Sequence, residues 1–206
     1  MKKKIAAIIC IVLLLISGLI GYMRYFNYGI FQGRSVVGLP DNHMQILDTS
    51  SGHFDLLFDM HTYGGIAFNI HTSDISVYIA HYEHGKRVSQ KLVKNISMLE
   101  PAELNGHLHW GITTHEGQRQ ELRTSLSAGG VSSSGFFDFT QVDFQHAAIL
   151  GTPLELNGMI ERDRIYPLFI RQSSGLVRHV DINDSTDIEI LANENELFTI
   201  LYIIFR

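Results

Sequence analysis

Apolar and polar positions divide the chain into two unlike parts. From Ile5 to Met23 apolar residues run almost without interruption. Beyond residue 30 no stretch sustains a 3.6-residue period, and several alternate with a period of two. That alternation predicts strands with one buried face. Phe54, Leu56, Phe58 and Met60 alternate with His53, Asp55, Leu57 and Asp59, and Ile66, Phe68 and Ile70 alternate with Ala67, Asn69 and His71. His61-Thr62-Tyr63-Gly64-Gly65 lies between them and reads as a turn-forming loop. Pairing Met60 with Ile66 sets Phe58 against Phe68 and Leu56 against Ile70, all on one face.

Two further hairpins follow from the same parity. His84-Gly85 reads as a two-residue turn joining 76–83 to 86–93. An unbroken register then puts Val77, Ile79 and His81 on the core face with Val88 and Leu92. Tyr78, Ala80 and Tyr82 fall on the other face with Arg87, Ser89 and Lys91. A third hairpin turns at Glu116-Gly117-Gln118, with Ile112 facing Leu122 and Leu108 facing Leu126. Its outward face carries His107, His109, Thr113 and His115 opposite Arg119, Glu121 and Arg123.

Later strands are expected over 136–144, 165–172, 176–182 and 187–191. Residues 197–205 are apolar on both faces and predict a central strand. The Ser- and Gly-rich stretch 127–135 predicts a surface loop. Together these features predict an all-β fold. A β-sandwich or jelly-roll-like barrel of about ten antiparallel strands fits the spacing of turn signals. One N-terminal transmembrane helix precedes it.

The apolar run matches the roughly 20 residues a helix needs to cross a bilayer. A cleaved signal peptide is the rival reading, but its apolar core is usually about 7–15 residues, and no small-x-small cleavage site stands out. Lys2, Lys3 and Lys4 precede the run and only Arg24 follows closely, which predicts a cytoplasmic N-terminus. Tyr22, Tyr25, Phe26 and Tyr28 mark the expected exit. The resulting layout is a cytoplasmic tail over 1–4, a signal anchor over 5–24, a stalk or edge strand over 25–40 and an extracytoplasmic β domain over 41–206. The sole cysteine, Cys10, lies in the apolar run. A domain without disulfides points to a bacterial envelope.

A net charge of −5, with no basic block beyond the N-terminus, excludes nucleic acid as the main partner. The expected partners are the bilayer, through residues 5–24, and an envelope protein or cell-wall polymer. Tyr78 and Tyr82 beside Arg87 and Lys91 form one candidate binding platform, aromatic rings next to basic groups. The chain's 11 histidines suggest a second. His107 and His109 leave one strand face about 7 Å apart, the spacing at which sheet metal sites begin. The first hairpin's register brings Asp55 opposite His71, near Asp59 and His61. Carboxylates beside imidazoles suit base catalysis, metal binding or an ordinary ion pair.

No Gly-x-Ser-x-Gly, Walker, dinucleotide or His-Glu-x-x-His motif occurs. The expectation is therefore a non-catalytic binding module without a cofactor. The alternative is a hydrolase, metal-dependent or acid–base, working from the His/Asp face, with a divalent transition metal where that face holds one.

Overall fold

In a computed structural model of the chain, one helix precedes two antiparallel sheets. It describes residues 2–47, 62–84, 86–114, 120–138, 148–150, 156–172, 183–184, 190–191 and 197–206. Helix α1, Lys2–Tyr25, has 24 residues, about 36 Å of length. It is long and apolar enough to cross a bilayer, and none of its most apolar stretch is buried. Its C-terminus closes as a Schellman motif. Tyr28 N donates to Met23 O and Asn27 N to Arg24 O, with Asn27 in the left-handed region at φ 55°.

The strands are β1 His43–Ile46, β2 Thr62–Asn69, β3 His71–Glu83, β4 Lys86–Glu103, β5 Gly106–Thr114, β6 Gln120–Ala128, β7 Val131–Asp138, β8 Ala148–Leu150, β9 Gly158–Met159, β10 Ile165–Gln172 and β11 Leu197–Phe205. The first sheet runs β7-β6-β5-β2-β1-β9 and the second β4-β3-β11-β10-β8. Neither closes into a barrel among the described residues. Ile66, Phe68, Leu108 and Leu126 of the first sheet share one buried cluster with Ile75, Val77, Ile203 and Phe205 of the second. Phe68 and Phe205 meet edge to face, centroids 5.4 Å apart, so the sheets pack as two layers over a common core.

The third hairpin has the expected register. Leu108 pairs with Leu126 and Ile112 with Leu122. Strand β10 spans the predicted residues, and β11 is central, between β3 and β10. Elsewhere the structure corrects the reading. Thr62 to Gly65 belong to β2 rather than to a loop, and Ile66 lies between Ile46 and Leu108. Both edges of β2 are thus occupied there, so the expected pairing of Ile66 with Met60 does not form. Residues 54–60 lie outside the described residues.

The turn at His84 joins β3 to β4 as expected, but β4 extends to Glu103 and carries bulges. A bulge between His81 and Tyr82 pairs His81 with Ser89 and Ile79 with Lys91. The residues from there to the next bulge, between Val77 and Tyr78, swap faces relative to an unbroken ladder. Val88 and Leu92 are exposed as a result. The supposed loop 127–135 is a tight hairpin, turning on Gly129 and Gly130 at φ 59° and 83°. Ile190 and Leu191 are helical instead of extended, and 176–182 lies outside the described residues. Residues 26–42 form a 3-10 turn (Gly29–Phe31) and bends, neither stalk nor edge strand.

Candidate functional site

The core-facing residues of β5 and β6 fix what points away from the core. Leu108, Trp110, Ile112, Leu122 and Leu126 face inward, so His107, His109, Arg123, Ser125 and Ser127 face outward. Residues directly opposite in a ladder share a face. The registers therefore lay out three outward rows: His107–Ser127–Ser132, His109–Ser125–Ser134 and Gly111–Arg123–Phe136. A groove of about 700 Å³ lies over this part of the sheet, bounded by His109, Glu121, Arg123, Ser125, Ser134 and Phe136. It occupies the half of the sheet away from the end where α1 joins.

Gly65 makes room for one wall. It pairs with His109, and a Cβ there would come within 2.8 Å of His109 Nδ1. Any other residue would displace the imidazole. The His107 and His109 rings are parallel, 6° apart with centroids at 6.2 Å. Burial holds both below the ordinary histidine pKa, and for His109 the neighbouring His107 adds to the effect. Both rings are therefore neutral at pH 7, each with one donor and one acceptor nitrogen. At the other wall Arg123 Nε lies 2.6 Å from Glu121 Oε1. Phe136 stands 77% exposed beside it.

Thr113 has the outward parity expected but is only 5% exposed, and its hydroxyl donates to Glu121 O. Among the described residues no three His, Cys, Asp or Glu side chains gather as they would around a metal ion. His71 stands in the other sheet, paired with Glu103, which separates it from His107 and His109. Asp55, Asp59, His61 and His115 lie outside the described residues.

The tyrosine platform is rearranged. Tyr82 and Tyr78 pair with Arg87 and Leu92 on the outer face of the second sheet, whereas Lys91 is opposite Ile79 on the inner face. Lys91 Nζ there lies 5.2 Å from the Phe137 ring centroid. Tyr82 stacks on Phe198 at 4.4 Å and Tyr78 on Tyr202 at 5.5 Å. Gln90 Nε2 donates to the Tyr202 hydroxyl, and burial first, then the Tyr82 phenol, pushes that hydroxyl's pKa up to about 12. Phe198, Ile200 and Tyr202 are buried with Leu191, so much of this face is packed.

His81 is buried on the core face, as its parity predicts, with Nδ1 2.8 Å from Thr199 Oγ1. Thr199 in turn pairs with Arg171, a polar row inside the protein.

Ser125, Ser134 and Phe136 are groove residues that the sequence reading passed over, and Arg123 was placed on the outward face without a role. Their signal was present: serines alternate at 125, 127 and 132, 134 about Gly129-Gly130. Read as a hairpin turn, the two glycines bring those hydroxyls together. No family model matches the chain, and no curated protein or solved structure matches it.

Proposed function

We propose that the protein is a membrane-anchored binding module of the bacterial cell envelope, with its two sheets forming one extracytoplasmic β-sandwich. Its ligand is a cell-wall polymer built of sugar units, lying in the groove of the first sheet. Lys2, Lys3 and Lys4 ahead of α1 support a cytoplasmic N-terminus.

The observation that carries this reading is the groove's lining. The Ser125 and Ser134 hydroxyls and the His109 imidazole form one row beside an exposed phenyl ring, with the His107 imidazole one row further along the sheet. Hydroxyls and neutral imidazoles both donate and accept, which suits a ligand covered in hydroxyls. Phe136 offers an apolar face to the C–H side of a sugar ring. The Arg123 guanidinium, held by Glu121, adds oriented donors. Few convergent polar groups around an aromatic wall is the composition expected of a small-molecule or polymer site.

Chitohexaose is a suitable probe. Titrated calorimetrically into the full chain in lipid nanodiscs, it is expected to bind, with Phe136→Ala and Arg123→Ala each weakening binding about tenfold or more, about 1.4 kcal/mol. Glu161→Ala, just beyond β9 at the edge of the first sheet opposite β7, should leave binding unchanged. No saccharide binding, or equal loss in all three variants, would remove the proposal.

A further inference from the structure

Exposed apolar side chains outside α1 are concentrated where the helix joins the sheets. That end is defined by Asn69 and Asn105. Asn69 binds the backbone of Val36 and Leu39, and Asn105 Nδ2 donates to Ser35 Oγ. Four tips surround it. Ile30, in the 3-10 turn just after the helix cap, is 90% exposed. Leu99 is 106% exposed. It belongs to the four residues of β4 (98–101) that bulge out opposite Ser73 alone, between the Asp74–Ser97 and Thr72–Ala102 pairs. Val131 follows the turn in which Gly129 N donates to Asn105 O. Met159 pairs with His43, whose other partner is Asn69.

These side chains come from four separate segments, with Tyr28, Val37 and Met98 also exposed among them. Apolar tips ringing the base of an anchoring helix suit the headgroup layer of a bilayer, where apolar side chains sink about 5–10 Å. The attachment is also short. Asn27, which caps α1, donates to Leu39 O, and Asn69 donates to the same oxygen, so no free stalk separates helix from sheet. Tyr22, Tyr25 and Phe26 cluster at the helix exit, with ring centroids 4.9 Å apart for Tyr22–Phe26 and for Tyr25–Phe26. Aromatic rings there mark the interfacial level.

We propose that this end of the domain is seated in the phospholipid headgroup layer, with Ile30, Leu99, Val131 and Met159 as its contact points. The proposal rests on α1 being a retained anchor. It holds the domain against the membrane and turns the groove outward.

The test uses the full chain with Cys10→Ser and a single label site, Leu99→Cys, in phosphatidylcholine vesicles. Val131→Cys serves as a second site and Val88→Cys, at the opposite end, as the control. An environment-sensitive fluorophore at 99 or 131 should be quenched at least threefold more by shallow nitroxide lipid than one at 88. Equal quenching, or ready quenching by aqueous iodide at all three, would overturn the seating while vesicle flotation still upheld the anchor. Shielding from iodide without lipid quenching would also overturn it, by assigning the tips to a protein contact. Failure of the unlabelled chain to float with vesicles would reject the anchor itself, and the seating with it.

Discussion

Asn27 and Asn69 donate to the same carbonyl oxygen, that of Leu39, at 2.8 and 2.7 Å. One asparagine caps the helix and the other ends β2, so a single peptide unit couples the two. Asn69 does more: its Oδ1 accepts from Val36 N and its Nδ2 also donates to Val36 O. The residue is 1% exposed. Its side chain replaces, for a segment with no strand of its own, the backbone ladder that would otherwise satisfy those groups.

Asn69→Ala should therefore destabilise the protein by about 1–3 kcal/mol, because it strands buried backbone groups. Asn69→Asp should fare no better, since a carboxylate accepts but cannot donate to Val36 O and Leu39 O. Urea unfolding in detergent measures both. A loss within error for either would mean the segment 26–42 is held by other contacts.

The Trp110 indole covers Gly64, its ladder partner, and a Cβ on Gly64 would run into the ring. Gly64→Ala should cost about 1–3 kcal/mol as an overpacked core position. Trp110→Leu alone leaves a cavity and should cost about 2–5 kcal/mol. Combined, the two should cost clearly less than their sum, since the smaller side chain vacates the space the new methyl needs. Strict additivity would show that the ring is not what excludes a side chain there.

Stability should also fall in mild acid. Burial lowers the folded-state pKa of His81, and Lys91 lowers it further; burial likewise lowers those of His107 and His109. The unfolded chain, with histidine near pH 6.5, takes up protons first. The stability these histidines contribute is fully present above that value and is lost as pH falls from it towards the lower folded values. Unfolding midpoints should drop between pH 7.5 and 5.5, and His107→Gln with His109→Gln should flatten the profile. A flat profile in the unaltered protein would contradict the burial of these rings.

How far the sequence discloses this structure depends on what interrupts its alternation. Leu108, Trp110 and Ile112 alternate without a break and face another unbroken run, so one register alone buries every apolar residue. The bulge beside His81 has no glycine or proline to announce it, and it moves Lys91 from the tyrosine face to the inner one. Glycine is ambiguous in the same way. Gly64 and Gly65 read as a turn yet lie mid-strand, where close approach of Trp110 and His109 demands them. Gly129 and Gly130, set among serines, read as flexible yet form the turn that brings Ser125 beside Ser134. The histidine wall was legible from His107 and His109; the hydroxyl rows and Phe136 needed the hairpin.

The groove itself is tested most directly by mapping where a saccharide touches the chain. With the full chain isotopically labelled in nanodiscs, two-dimensional NMR spectra recorded with and without chitohexaose locate the perturbed residues. Shifts are expected only at His107, His109, Arg123, Ser125, Ser134, Phe136 and their immediate neighbours, saturating together with one affinity. Shifts centred on Tyr78, Tyr82 and Arg87, or none up to millimolar saccharide, would contradict a saccharide site in this groove.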